Sequence, residues 1–136
     1  MQTQTVKESA AVKITPIIFV DAIEPTLKFW VDRLGFTKTV EVPEGDRLAF
    51  VILVKGDSEL MIQSRSSVKG DDPSKLEYTH ASACLYIEIS DFGDLLKRVD
   101  GFEVATPQRD TFYNMREIGV KEPGGNIVTF AAPIKK

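Results

Sequence analysis

The sequence predicts an α+β fold of two tandem βαβββ modules, their strands forming a cupped mixed sheet with the helices on its outer face. Three observations carry this. The order strand, helix, three strands occurs twice, on either side of one polar stretch. The two copies also match in register. Val20-Asp21-Ala22-Ile23 parallels Ile89-Ser90-Asp91-Phe92 at 89 − 20 = 69, and Gly35-Phe36 parallels Gly101-Phe102 at 101 − 35 = 66. Finally, the chain closes on a hairpin, with Glu122-Pro123-Gly124-Gly125 between Met115–Lys121 and Asn126–Ala132. Proline presets one turn dihedral there, and glycine accepts positive φ.

Residues 1 to 12 are polar and aperiodic and read as a tail. Lys13 to Val20 is β-rich and forms the first strand, with Pro16 marking an edge or a break in pairing. Asp21 then reads as an N-cap and Pro25 as a first-turn proline. Ile23, Leu27, Trp30, Val31 and Leu34 recur at helical spacing, and Gly35 ends the helix. Strands follow at about 36–42, 48–55 and 59–63, split by Pro43-Glu44-Gly45-Asp46 and Gly56-Asp57-Ser58. Residues 66–81 are polar and form a linker. One domain therefore spans 13–133, with modules at about 13–65 and 82–133. In the second module, Ser82 to Ile89 is a strand. Ser90 or Asp91 caps a helix whose buried stripe is Phe92, Leu95, Leu96 and Val99, and Gly101 stops it. A strand at 102–106, a loop at 108–114 and the hairpin complete the set.

A chain of 136 residues can bury a core without covalent staples. Its single cysteine, Cys84, forms no internal disulfide and fits a reducing compartment. The N-terminus lacks the apolar centre of a signal peptide, and no apolar run is long enough to span a bilayer. A cytoplasmic location is expected. With 17 Lys and Arg against 20 Asp and Glu, the net charge is −3. No basic cluster with interleaved aromatics is present, so neither nucleic acid nor membrane is expected as a partner.

Each module buries one sheet face under its helix and leaves the other for a ligand. Strand alternation then assigns side chains. Thr15, Ile17 and Phe19 face the cavity on the first strand, and Cys84, Tyr86 and Glu88 on the fifth, with Glu88 equally readable as a solvent residue. Phe112 and Tyr113 precede the hairpin and offer aromatic faces. Trp30 belongs to the helix core or contributes to the cavity. Arg116 is either an anion clamp or an exposed strand residue paired with Glu117 or a neighbour. His80, the only histidine, reads as a loop residue, and Cys84 as a small buried hydrophobe. No nucleophile–base arrangement or phosphate cradle is visible, so no catalytic residue is assigned.

Thr15-Pro16, Phe29-Trp30 with Leu34-Gly35-Phe36, and Arg116-Glu117-Ile118 with Glu122-Pro123-Gly124-Gly125-Asn126 together resemble the vicinal oxygen chelate superfamily. This group includes glyoxalase I, the extradiol dioxygenases, and the fosfomycin- and bleomycin-resistance proteins. The likeness covers about residues 13 to 133 and is nearest to the bleomycin-resistance-like branch. In the superfamily's enzymes a divalent metal sits on strands one, four, five and eight. The resemblance places those positions at Thr15, Gln63, Cys84 and Thr129. Two threonines cannot replace imidazole and carboxylate donors. The resemblance therefore implies a metal-independent, antibiotic-like small-molecule binder that acts by sequestration, without a cofactor. It places Tyr113 where the branch stacks an aromatic on its drug. The alternative is a lyase, isomerase or dioxygenase of the same superfamily with a displaced divalent metal site. The resemblance also implies a homodimer.

Overall fold

Residues 10–134 are described in a computed structural model of the chain. Residues 1 to 9 of the expected tail lie outside that range. β1 spans Ile17–Val20, shorter than the expected run from Lys13. Pro16 has no N–H to donate, and only its carbonyl joins the sheet, accepting from the Met61 N–H at 3.0 Å. The helix starts at Glu24 rather than after Asp21. Ile23 takes the N-cap position, and the Thr26 hydroxyl donates back to its carbonyl at 2.6 Å. α1 comprises Glu24–Leu27 and a π-helical continuation, Lys28–Arg33. There the Leu34 N–H donates to the Phe29 carbonyl five residues back. This wider turn accompanies two consecutive fully buried aromatics, Phe29 and Trp30. Trp30 thus belongs to the core. Gly35 ends α1 at φ +82°, and its counterpart Gly101 sits at φ +93°. Both need the left-handed conformation that other residues adopt only at a cost.

β2 (Thr37–Glu44), β3 (Arg47–Lys55) and β4 (Ser58–Ser64) complete the first module. β4 runs parallel to β1 and antiparallel to β3, giving the order β1-β4-β3-β2. The expected linker is largely helical. α2 spans Arg65–Asp71, and a 3-10 helix spans Pro73–Tyr78. Val68 is a single apolar anchor, fully buried, and Asp72 caps the second piece by accepting from the Ser74 N–H. One anchor and one cap leave no periodicity to read in the sequence.

The second module repeats the plan with β5 (Cys84–Glu88), α3 (Phe92–Arg98), β6 (Glu103–Asp110), β7 (Met115–Lys121) and β8 (Ile127–Pro133). Asp91 caps α3, accepting from the Asp94 N–H at 2.9 Å. The strand order is β5-β8-β7-β6. β6 continues past Thr106 through Pro107, where the sequence predicts a loop. An edge strand tolerates a proline, and the register shifts between Thr106 and Arg109 mark a bulge.

The tandem βαβββ architecture is therefore present, as two four-stranded mixed sheets. One core serves both. Ile18, Val20, Val51, Leu53 and Ile62 of the first sheet share it with Ile118, Val120, Val128 and Phe130 of the second. Phe29 packs edge-on to Phe102 at 5.0 Å and lies 6.3 Å from Phe130. The helix ends are cross-capped. Arg33 donates to the Arg98 carbonyl at 2.8 Å, and Arg98 donates to the Arg33 carbonyl at 3.0 Å. The helix-bearing faces of both sheets thus feed one interior, and their opposite faces point away from it.

The two module junctions differ. The hairpin turn presses on β1, where a Cβ at Gly124 would overlap Val20 Cγ1. The Asn126 side chain ties that turn to the start of β5, accepting from the Ala83 N–H at 2.8 Å. The turn between β3 and β4 is shorter. Val20 is fully buried, while its counterpart Ile89 lines an open cleft of about 420 Å³ with Leu34, Phe36, Ile87 and Leu95.

Candidate functional site

The face of the second sheet turned away from the core follows from strand register. Tyr86 pairs with Thr129, which pairs with Gly119, and Glu88 pairs with Ala131, which pairs with Glu117. Side chains at paired positions share a face. Tyr86, Glu88, Glu117 and Thr129 therefore stand together. The bulge at Pro107 sets Arg109 opposite Glu117.

Glu117 is the centre of this face. It is 2% exposed, yet it lies on the side away from the core. Its burial comes from its partners. Tyr86 and Tyr113 each donate a phenolic hydrogen to Oε2 at 2.6 Å. Arg109 donates to Oε1 through Nε at 3.3 Å and Nη2 at 3.1 Å. The Tyr113 and Tyr86 hydroxyls, and then Arg109, hold the Glu117 carboxyl below the usual carboxylate range, against the opposing effect of burial. The same contact pushes the Tyr86 phenol up to about 12, because a phenolate would lose its bond to Glu117 and face a negative charge. Tyr113 is raised for the same first reason. A carboxylate engaged by four donor contacts is a poor base, and a phenol titrating far above neutrality is a poor nucleophile. The arrangement is suited to holding two rings in place.

The sequence-derived candidates divide into separate groups. Tyr86, Tyr113, Glu88, Cys84 and Thr129 belong to the second module's outward face. Cys84 is exposed rather than buried, on a face that the described residues leave open. Phe112 is 99% exposed and packs edge-on to Tyr113 with ring centroids 5.0 Å apart. Thr15, Phe19 and Gln63 lie in the first module. Thr15 donates to Glu59 at 2.8 Å, and Gln63 is buried, donating to Asp71 at 3.2 Å under α2. Arg116 alternates to the helix-bearing side of β7. It pairs with Asp110, donating through Nε at 2.8 Å, and not with Glu117. Glu117 and Arg109 were not singled out by the sequence. Glu117 entered the sequence reading only within the hairpin motif and as an alternative partner of Arg116, and nothing local announced the partners it has.

The four positions that the resemblance implies for a metal do not suit one. Thr15 and Gln63 present neutral oxygens and nitrogens already committed inside the first module, and Cys84 and Thr129 lie in the second. Among the described residues no three His, Cys, Asp or Glu side chains converge. The one buried carboxylate on the site face is occupied by its own donors. This donor chemistry does not fit a divalent ion.

The family profile described as Glyoxalase/Bleomycin resistance protein/Dioxygenase superfamily matches residues 11–130. No curated protein matches the sequence. Among solved structures, a glyoxalase/bleomycin resistance protein/dioxygenase from Nocardioides superposes with a TM-score of 0.71 at 18% identity, covering 98% of this chain and 91% of that one. A lactoylglutathione lyase from Agrobacterium tumefaciens gives 0.70 at 13% identity, covering 91% and 95%. A bleomycin-binding protein from Streptomyces verticillus, complexed with copper(II)-bleomycin, gives 0.58 at 23% identity, covering 93% and 98%. At these identities the likeness is one of fold.

Proposed function

The chain belongs to the Glyoxalase/Bleomycin resistance protein/Dioxygenase superfamily, and from that premise we propose that it is a metal-independent small-molecule-binding protein acting by sequestration. The observation that carries this reading is the Tyr86–Glu117–Tyr113 cluster. It fixes two half-exposed aromatic rings on an outward sheet face, and its carboxylate has its lone pairs engaged. Rings held in this way favour binding over turnover, since little conformational freedom remains to be lost on capture. The bleomycin-binding neighbour agrees with this class, and bleomycin-type antibiotics are the first candidates. In this reading the protein works in the cytoplasm.

The reading includes a homodimer. The first sheet's outward face is apolar, with Ile17, Val40 and Val42 each between 38% and 45% exposed. The second sheet's outward face is aromatic and polar. Two copies related by a two-fold axis would set one kind of face against the other and turn two open sheets into a cavity. Sedimentation at micromolar concentration is expected to give twice the chain mass, and a monomer would count against this part.

The functional test is a calorimetric titration with metal-free bleomycin and related cationic antibiotics, followed by chromatography of the recovered compound. Saturable binding with the compound recovered unchanged is expected. Consumption of the compound would place the chain among the family's enzymes instead.

A further inference from the structure

We propose that the second module's outward face selects ligands that donate hydrogen bonds, specifically planar aromatic cations carrying N–H groups. This rests on the binding reading above and adds a polarity to it. A phenol has one hydrogen to give. Tyr86 and Tyr113 both give theirs to Glu117 Oε2 at 2.6 Å. Both residues nonetheless remain open to solvent, at 55% and 47% exposure. What their oxygens offer a ligand is therefore lone pairs only. Glu117 itself is closed, since its other oxygen receives Arg109. Arg109 pairs with that same carboxylate through Nε and Nη2, and its remaining N–H groups lie at the side of Glu117 away from the two phenols.

Glu88 extends this pattern. It stands two residues from Tyr86 on the same strand face, is exposed, and has no hydrogen bond or ion pair among the described residues. It adds a charged acceptor beside two neutral ones. The rings of Phe112 and Tyr113, set at 86° to each other, supply a π face and an edge. Acceptors and π faces together suit a flat cation with N–H groups at its rim. At the two phenol oxygens and Glu88, a ligand rich in carbonyl or phosphate oxygens would instead meet lone pairs with lone pairs. Glu117 acts in this through the tyrosines, as a positioning residue that decides which way their hydrogens point.

Two acridine dyes test the claim without any variant. Proflavine and acridine orange share a flat cationic ring. Proflavine carries exocyclic N–H groups, and acridine orange has methyl groups in their place. Fluorescence titration of the wild-type chain is expected to show proflavine bound about tenfold more tightly, in line with one or two added hydrogen bonds. Tyr86→Phe and Tyr113→Phe keep the rings and are expected to bring that ratio toward one. A merely structural role would weaken both dyes in parallel and leave the ratio intact, which would overturn the proposal. Equal or tighter binding of acridine orange by the wild type would also overturn it, while leaving the binding reading in place. If neither dye binds, and bleomycin-type compounds still do, the planar-cation assignment falls alone. If nothing binds, both fall.

Discussion

Glu117→Gln is the sharpest perturbation of the site. The carboxylate accepts two phenols on one oxygen and two guanidinium nitrogens on the other. Glutamine keeps one acceptor oxygen and turns an amide N–H₂ toward donors. At least two of the four bonds are lost, and the rest lose the carboxylate's charge. Hydrogen bonds to an ionised group contribute about 1.5–3 kcal/mol each. The tyrosine and arginine ends are about half exposed and can rehydrate, so the lower end applies. The expected cost is about 2–3 kcal/mol, or roughly 6–12 °C in melting temperature for a chain of this size. The pH dependence has a definite sign. The Glu117 carboxyl is depressed in the folded chain, so its contribution is complete above the ordinary carboxylate range and fades as pH falls through the folded value. Tyr86 is raised to about 12, so its contribution is complete below about 10 and is lost as pH climbs from there toward 12. Urea unfolding across pH, with an alkaline absorbance titration of the phenols, measures both. In Glu117→Gln the late phenol is expected to return toward about 10. A variant that melts within a degree of wild type at neutral pH, with an unchanged phenol titration, would refute the reasoning.

The remaining predictions concern the frame and the chemistry. Gly124→Ala places a methyl against Val20 Cγ1, and the expected destabilisation is about 1–3 kcal/mol, read by denaturant unfolding. Phe29→Ala removes a fully buried ring that joins both modules, at an expected cost of about 3–5 kcal/mol. Because the core is shared, calorimetry is expected to show one unfolding transition in wild type and variant alike; two separate transitions would contradict a common core. Dialysis against a strong chelator is expected to leave melting temperature and ligand affinity unchanged, and recovery of lost affinity on adding zinc would count against the metal-independent account.

Much of the frame was legible because its causes are local. Gly35 and Gly101 stop helices for a conformational reason that is written at one position. Alternation along β1 buries Ile18 and Val20 and leaves Ile17 outside, as a period of two requires. The helix over Arg65–Asp71 was not legible, since it depends on one buried side chain, Val68, finding its place after the sheet has formed. The centre of the site was hidden for a related reason. Glu117 meets Tyr113 four residues away, Arg109 eight away across a bulge, and Tyr86 thirty-one away on another strand. Pro107 conceals the bulge, because on sequence alone a proline there ends a strand. Arg116 shows the converse. It adjoins Glu117 in sequence, and for that reason in a strand it faces the other side.

The central claim is a location, and amide chemical-shift mapping tests it most directly. During titration with a bleomycin-type compound or proflavine, the largest shifts are expected along the outward face of β5, β7 and β8, around Tyr86, Glu117 and Thr129, and at Phe112 and Tyr113. Shifts confined to the cleft between the modules, around Leu34, Ile89 and Leu95, would contradict the account and move the ligand to the other side of the sheet.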